Sequence, residues 1–349
     1  MILELISFIL IILILAMPNL HVPDLPDFLR GANETSPAAD SSPETSPTPD
    51  DIVLLRAALH RAKGLPPDIV DCIFDFAEFW ARSSSVVNYG SEMRQSKSIV
   101  ASCPQENTFL LRSPPLGLTH VCRGNIRLAE ELVYDSSEAR PIPLTREHDA
   151  AYFSRLVDYP TPRLVNPCRK IVFSIRSHDQ GWGNHDGSYA SSWTWFEAGL
   201  ERFDAAQECD EKCTYDARRD SSTETPPALP VCGIRPVQPT ISVLTDQDET
   251  RYLYDHPLLP DDRYNICRNK AACRDWQDHV VAWSYLDDVE PTSDAGADLH
   301  QKGRGRASAD GSFVRGLRLG DVVTVWGKAR FPQWINTVDS VRIDVYWAV

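Results

Sequence analysis

The sequence predicts a mainly β protein: an antiparallel β-sandwich or jelly-roll-like body with a small N-terminal helical hairpin. Three observations carry this. In residues 169–204, RKIVFSIRSHDQGWGNHDGSYASSWTWFEAGLERFD, Ile171, Phe173 and Ile175 alternate with Val172, Ser174 and Arg176, the period of two that gives a strand one buried face. Near the C-terminus Val323, Val325, Ala329 and Phe331 share one face and Thr324, Trp326, Lys328 and Arg330 the other. Val341, Ile343, Val345, Trp347 and Val349 then repeat the alternation. Finally, short strand candidates at Phe109–Leu111, Trp193–Phe196 and Val280–Tyr285 are separated by Pro- and Asp-rich loops without strand-helix-strand alternation.

The chain has 349 residues, 42% of them hydrophobic, enough for one large or two modest domains with a packed core. Thirty-five Lys and Arg against 49 Asp and Glu give a formal charge of −14. That field repels phosphate backbones, so nucleic acid is not an expected partner. The small basic run Lys302-Gly303-Arg304-Gly305-Arg306 reads as a flexible loop.

Residues 5–17, LISFILIILILAM, are apolar but shorter than the roughly twenty residues that cross a bilayer. No Lys or Arg precedes them, and Met17 offers an alternative start. Residues 1–17 are therefore an anchor, a signal segment or a misassigned start. The localisation expected is intracellular, with membrane attachment only if the apolar segment within residues 2–17 is retained. Residues 18–50 are rich in Pro, Ser, Thr and acid and read as a disordered linker. Asn33-Glu34-Thr35 is a glycosylation sequon that matters only in a secreted chain.

Residues 51–82 read as two helices. The first starts at Asp51, carries Ile52, Leu55 and Leu59 on one face and stops at Gly64. In the second, after Pro66-Pro67, Ile69, Cys72, Ile73, Phe76 and Trp80 form the expected buried face, with Asp68, Asp71, Asp75 and Glu78 opposite. Its LPPDIVDCIFDFAEFW resembles the opening of an F-box. That resemblance implies docking of Leu65–Trp80 on a ubiquitin-ligase adaptor. Residues 83–105 are Ser-rich and read as a linker or loop. The body is expected over 106–349, with long loops at about 135–167, 205–260 and 286–312.

Nine cysteines form an odd set, so at least one thiol lacks an intrachain partner. Cys209-x3-Cys213 and Cys267-x5-Cys273 lack the spacing of zinc ribbons and fingers, and no cofactor is expected.

Residues 169–204 and 317–349, the latter LRLGDVVTVWGKARFPQWINTVDSVRIDVYWAV, resemble the paired signatures of a family of uncharacterised proteins from filamentous fungi. In that family an LPP-type helix precedes a β-rich body with a SHDQGW loop. The resemblance implies the domain plan and brings no activity with it.

The chemistry-bearing residues cluster in that loop. His178-Asp179 and His185-Asp186 supply donors for an acid-base pair or a metal-dependent enzyme, yet at no recognised metal spacing. His, Asp and Gly are also what a tight turn needs, and no GxSxG elbow occurs. Among Trp182, Trp193, Trp195, Trp326 and Trp334 most are expected in the core. Aromatics flanked by Asp and Gln also make sugar-binding surfaces. The expectation is therefore a non-enzymatic interaction or ligand-binding module, its ligand a glycan, other small molecule or protein, held by His178, Asp179, Gln180, Trp182, His185, Asp186, Trp193 and Trp195.

Overall fold

The computed structural model describes residues 46–92, 95–118, 137–156, 165–183, 187–207, 229–246 and 249–349. Strands among these residues are β1 (Ala81–Asn88), β2 (Lys97–Val100), β3 (Asn107–Arg112), β4 (Cys168–His178), β5 (Thr194–Phe203), β6 (Ile234–Gln238), β7 (Ile241–Asp246), β8 (Glu249–Tyr254), β9 (Asn265–Arg268), β10 (Gln277–Ser284), β11 (Val322–Ala329) and β12 (Ile335–Trp347). The helices are α1 (Pro49–Lys63), α2 (Pro67–Phe76), α3 (Tyr89–Glu92), α4 (Ala150–Ser154), α5 (Asp294–Gln301) and α6 (Ser312–Gly316). No described helix is long and apolar enough to cross a membrane. The expectations for residues 1–17 and for the sequon lie outside the described residues.

The body is an antiparallel β-sandwich. One sheet runs β1-β12-β4-β10, with β2 on the first half of β12. The other runs β3-β11-β5-β6, with β9 on the first half of β5. Period-two alternation aims Ile171, Phe173 and Ile175 of β4 and Val341, Ile343 and Val345 of β12 into one core with Val323 and Val325 of β11 and Phe196 and Ala198 of β5. Burying such residues contributes about 1.5–3 kcal/mol each, which is why the register of these strands is firmly specified.

Residues 83–105, expected as a linker or loop, hold most of β1 and all of β2. Residues 81–88 pair along the second half of β12, with Ser83 and Ser85 facing inward, and 97–100 pair along its first half. The serines hid the strand: β12 supplies the hydrogen bonds and most of the apolar surface, so the edge strand needs little of its own. The stretch 205–260 likewise holds β6 and the β7–β8 hairpin. The chain after β8 then crosses the outer face of the second sheet, where Tyr254 and His256 pack on Trp326 at 5.2 and 5.1 Å. All eight residues of β11 are consequently buried. The basic run at 302–306 is partly packed: Gly303 and Gly305 are buried and Arg304 donates to the Ala282 carbonyl at 3.2 Å, while Lys302 and Arg306 are exposed.

The hairpin begins earlier than Asp51. Thr48 caps α1 through a capping box with Asp51, and Gly64 ends the helix at φ 61°. The inward face of α2 also differs from the expected one: Val70 and Phe74 are buried, while Ile69, Cys72 and Phe76 are exposed. Apolar residues occur on both sides of this helix, and the decision comes from outside it. Arg56 and Arg169 face Asp71 and Asp75 at 3.0 and 2.9 Å, so the acidic side is drawn inward as ion pairs. Trp80 is buried beyond the helix end, its indole N–H donating to Asp75 at 2.9 Å.

Candidate functional site

One end of the sandwich gathers four loops: 101–106 (β2–β3), the β4–β5 connection, 269–276 (β9–β10) and 330–334 (β11–β12). Antiparallel order brings them together, because each joins the ends of strands that pair in register: Thr337 with His178, Ile335 with Val100, and Ala329 with Thr194. The loops are tied to one another by main-chain bonds from Ala101 to Trp334, Ala271 to Ser188, and Arg330 to Trp193.

Asp179 organises this end. Its side chain is fully buried, and its carboxylate accepts the amides of Gly181 (2.8 Å), Ala272 (2.6 Å) and Cys273 (2.9 Å). Burial raises its pKa, and the three amide bonds oppose that rise. A carboxylate so engaged is a clasp between two loops, both of its oxygens accepting main-chain amides. Gly181 makes the turn possible at φ +75°, and a Cβ there would lie 2.5 Å from the Arg274 side chain. His178 approaches the Asp179 carbonyl through Nδ1 at 2.5 Å and stacks edge-on against Trp276 at 4.4 Å.

Beneath the loops a buried polar chain joins the sheets. Asn269 donates to Thr194 and Asn336 at 3.0 Å each and receives the Ser177 hydroxyl at 2.7 Å. His279 lies beside it at 3.4 Å, its pKa lowered to about 4 chiefly by burial. Bonds of this kind rigidify a rim where apolar packing has run out.

The sequence-predicted residues part company here. Trp182 projects from the clasped turn and is 49% exposed. Gln180 is nearly buried; its amide nitrogen donates to the Trp182 carbonyl at 3.2 Å, and its carbonyl oxygen meets no partner among the described residues. Trp193 is half-buried against Phe331 at 4.6 Å. Trp195 belongs to no exposed surface. It points to the covered outer face of the second sheet, fully buried, its N–H donating to Glu197 at 2.7 Å. His185 and Asp186 lie outside the described residues, as do Cys122, Cys209 and Cys213. Among the described residues no three His, Cys, Asp or Glu side chains group as metal ligands, and Cys72, Cys103, Cys168, Cys267 and Cys273 carry no disulfide.

Sequence reading missed Trp276 and Phe331, each 39% exposed at this end. Trp276 lies in none of the quoted stretches, and Phe331, expected on the shared face of the strand, falls instead in the turn after β11, which ends at Ala329; strand pairing brings both to the SHDQGW loop. A second signal was equally invisible. Five non-glycine residues among those described have positive φ, and four lie in these loops: Ser102 (60°), Ala272 (55°), Phe331 (65°) and Gln333 (77°). Left-handed backbone is costly for side chains such as Phe, and it persists where surrounding bonds over-determine it.

A second charged cluster sits under the strap that follows β8. The Lys328 ammonium, fully buried, lies 2.5 Å from Glu197, and Arg330 lies over the Trp195 ring at 5.2 Å. Burial lowers the pKa of Lys328, and burial beside Lys328 and Arg330 takes His256 to about 3. The cluster is enclosed and serves to fix the strap.

No family model, curated protein or solved structure matches the chain.

Proposed function

We propose that the protein is a non-enzymatic binding module that takes a carbohydrate on the aromatic loop end of its sandwich. The observation that carries this reading is the coincidence, at one end, of strained, mutually bonded loops with half-exposed rings at Trp182, Trp276 and Phe331. Holding Phe331 and Gln333 in left-handed backbone costs on the order of 1–3 kcal/mol each, a cost consistent with loops shaped for a ligand rather than for stability alone. Indole faces stack on the apolar faces of sugar rings, and His178, Gln180, Arg176 and Asp278 supply polar groups around them. Arg176 is already oriented, bonded to Asp278 at 3.1 Å with its guanidinium 5.7 Å from the Trp276 ring. A glycan array followed by affinity electrophoresis on the polysaccharides that score tests this. Trp182→Ala and Trp276→Ala should each weaken retention about fivefold, the worth of roughly 1 kcal/mol of ring contact. Absence of glycan binding, or variants retained like the parent, rejects the reading.

One observation favours a second reading, adaptor docking by α2. Its Ile69 and Phe76 are 48% and 66% exposed and share a face with Cys72, an arrangement suited to a groove on a partner. A pull-down with a ubiquitin-ligase adaptor that Ile69→Asp and Phe76→Asp abolish supports it. No capture by the parent chain, alongside an F-box protein that is captured, removes it.

A further inference from the structure

A pocket of about 270 Å³ lies between the helical hairpin and the sandwich, far in sequence from the aromatic loops, and is large enough for a small organic molecule. Its apolar walls are Ile52, Phe74, Phe79 and Trp80. Phe74 and Phe79 are fixed against each other at 5.2 Å, and Trp80 is fixed by its bond to Asp75 and by Tyr285 at 6.2 Å. The aromatic lining is therefore preformed.

The charges decide what enters. Five charged side chains line the pocket, three carboxylates (Asp68, Asp71, Asp75) and two guanidiniums (Arg56, Arg169). Both guanidiniums are engaged. Arg56 pairs with Asp71 at 3.0 Å and donates to the Val349 carbonyl. Arg169 grips Asp75 through two bonds of 2.9 and 3.2 Å while its guanidinium covers the Tyr285 ring at 4.5 Å. An anion would have to break one of these pairs. Lys170 reaches the other side of Trp80 at 5.6 Å, but its ammonium is bonded to Glu78 and does not line the pocket. Asp68 differs from its neighbours: it makes no hydrogen bond or ion pair with another described side chain, it lines the pocket, and it stands exposed in the first turn of α2. The chain's net charge of −14 adds attraction for cations and repulsion for anions.

We infer that this pocket binds a small organic ammonium ion, with the cation beside Asp68 and an aromatic or alkyl body against Phe74, Phe79 and Trp80. Ring faces attract such cations as well as covering the body. The site is separate from the aromatic loop end, and either can fail without the other.

Isothermal titration of the full chain with three probes that share a phenylethyl body tests the inference: 2-phenylethylammonium, 2-phenylethanol and 3-phenylpropanoate. The ammonium should bind saturably, about tenfold more tightly than the alcohol, and the carboxylate more weakly than either. Asp68→Asn, a surface change that leaves every described pair intact, should remove the preference for the ammonium over the alcohol. Phe79→Ala should weaken both, and Trp182→Ala should alter neither. No saturable binding of the ammonium, tighter binding of the carboxylate, or a preference that survives Asp68→Asn overturns it.

Discussion

Asp179 and Ala272, 93 residues apart, are joined by a 2.6 Å bond from the Ala272 amide to the Asp179 carboxylate, and Ala272 holds φ 55° where that bond forms. A buried acceptor and a left-handed backbone stabilise each other here. Asp179→Ala leaves three amides without their acceptor and should lower stability by about 2–3 kcal/mol. Asp179→Asn, with one acceptor oxygen remaining, should lower it less. Denaturant midpoints rank the variants, and faster amide exchange at Gly181, Ala272 and Cys273 locates the loss.

Two glycines of the β4–β5 connection separate space from conformation. Gly181 and Gly187 have φ +75° and +71°, yet a Cβ would strike the Arg274 side chain at Gly181 and would meet nothing within 4 Å among the described residues at Gly187. Gly187→Ala should therefore cost about 1 kcal/mol of backbone strain. Gly181→Ala should cost more and should also perturb the environment of Trp182, which tryptophan fluorescence reads.

Lys328 and Glu197 form a buried pair whose partners are not equivalent. Removing one charge leaves the other stranded in the strap-covered sheet, so Lys328→Met should destabilise by about 3–5 kcal/mol. The double variant Lys328→Met, Glu197→Leu should cost less than the two single changes together. It should not be neutral, because Glu197 also accepts the Trp195 N–H at 2.7 Å. A double-mutant cycle from chemical denaturation measures both effects.

His256 and His279 set an acid sensitivity. Their folded pKa values, about 3 and about 4, lie below the ordinary 6.5, so between these limits the unfolded chain binds more protons than the folded one. Their contribution to stability is complete above pH 6.5 and is lost as pH falls toward the folded values. From pH 7 to 5 each should remove at most about 2 kcal/mol. His256→Gln, His279→Gln should flatten the fall in denaturation midpoint over that interval. An unchanged slope would contradict the burial of both rings.

Chains started at different points test the N-terminal boundary. A chain beginning at Asp51 lacks the Thr48 cap and should be about 1 kcal/mol less stable than one beginning at Ser46, which keeps the Thr48–Asp51 capping box. Thermal midpoints of the two chains decide it.

The sequence by itself determined the mainly β class, the inward set Ile171, Phe173 and Ile175 of β4, and the alternation of β11 and β12. It also marked a turn over 178–183, of which the structure leaves His178 in β4. These are local properties: side-chain alternation and glycine backbone freedom act over a few residues. Tertiary structure decided whatever depended on a distant partner. Residues 81–88 form a strand because β12 offers them an edge, although Ser83 and Ser85 point inward. Helix α2 turns its acids inward because Arg56 and Arg169 meet them there. Trp195 is buried because the strap after β8 covers an otherwise open sheet, while Trp276 and Phe331 reach the candidate site only because antiparallel pairing brings their loops to one end. Periodicity reports that a strand has two faces. What covers the second face is fixed only when chain from elsewhere packs on it.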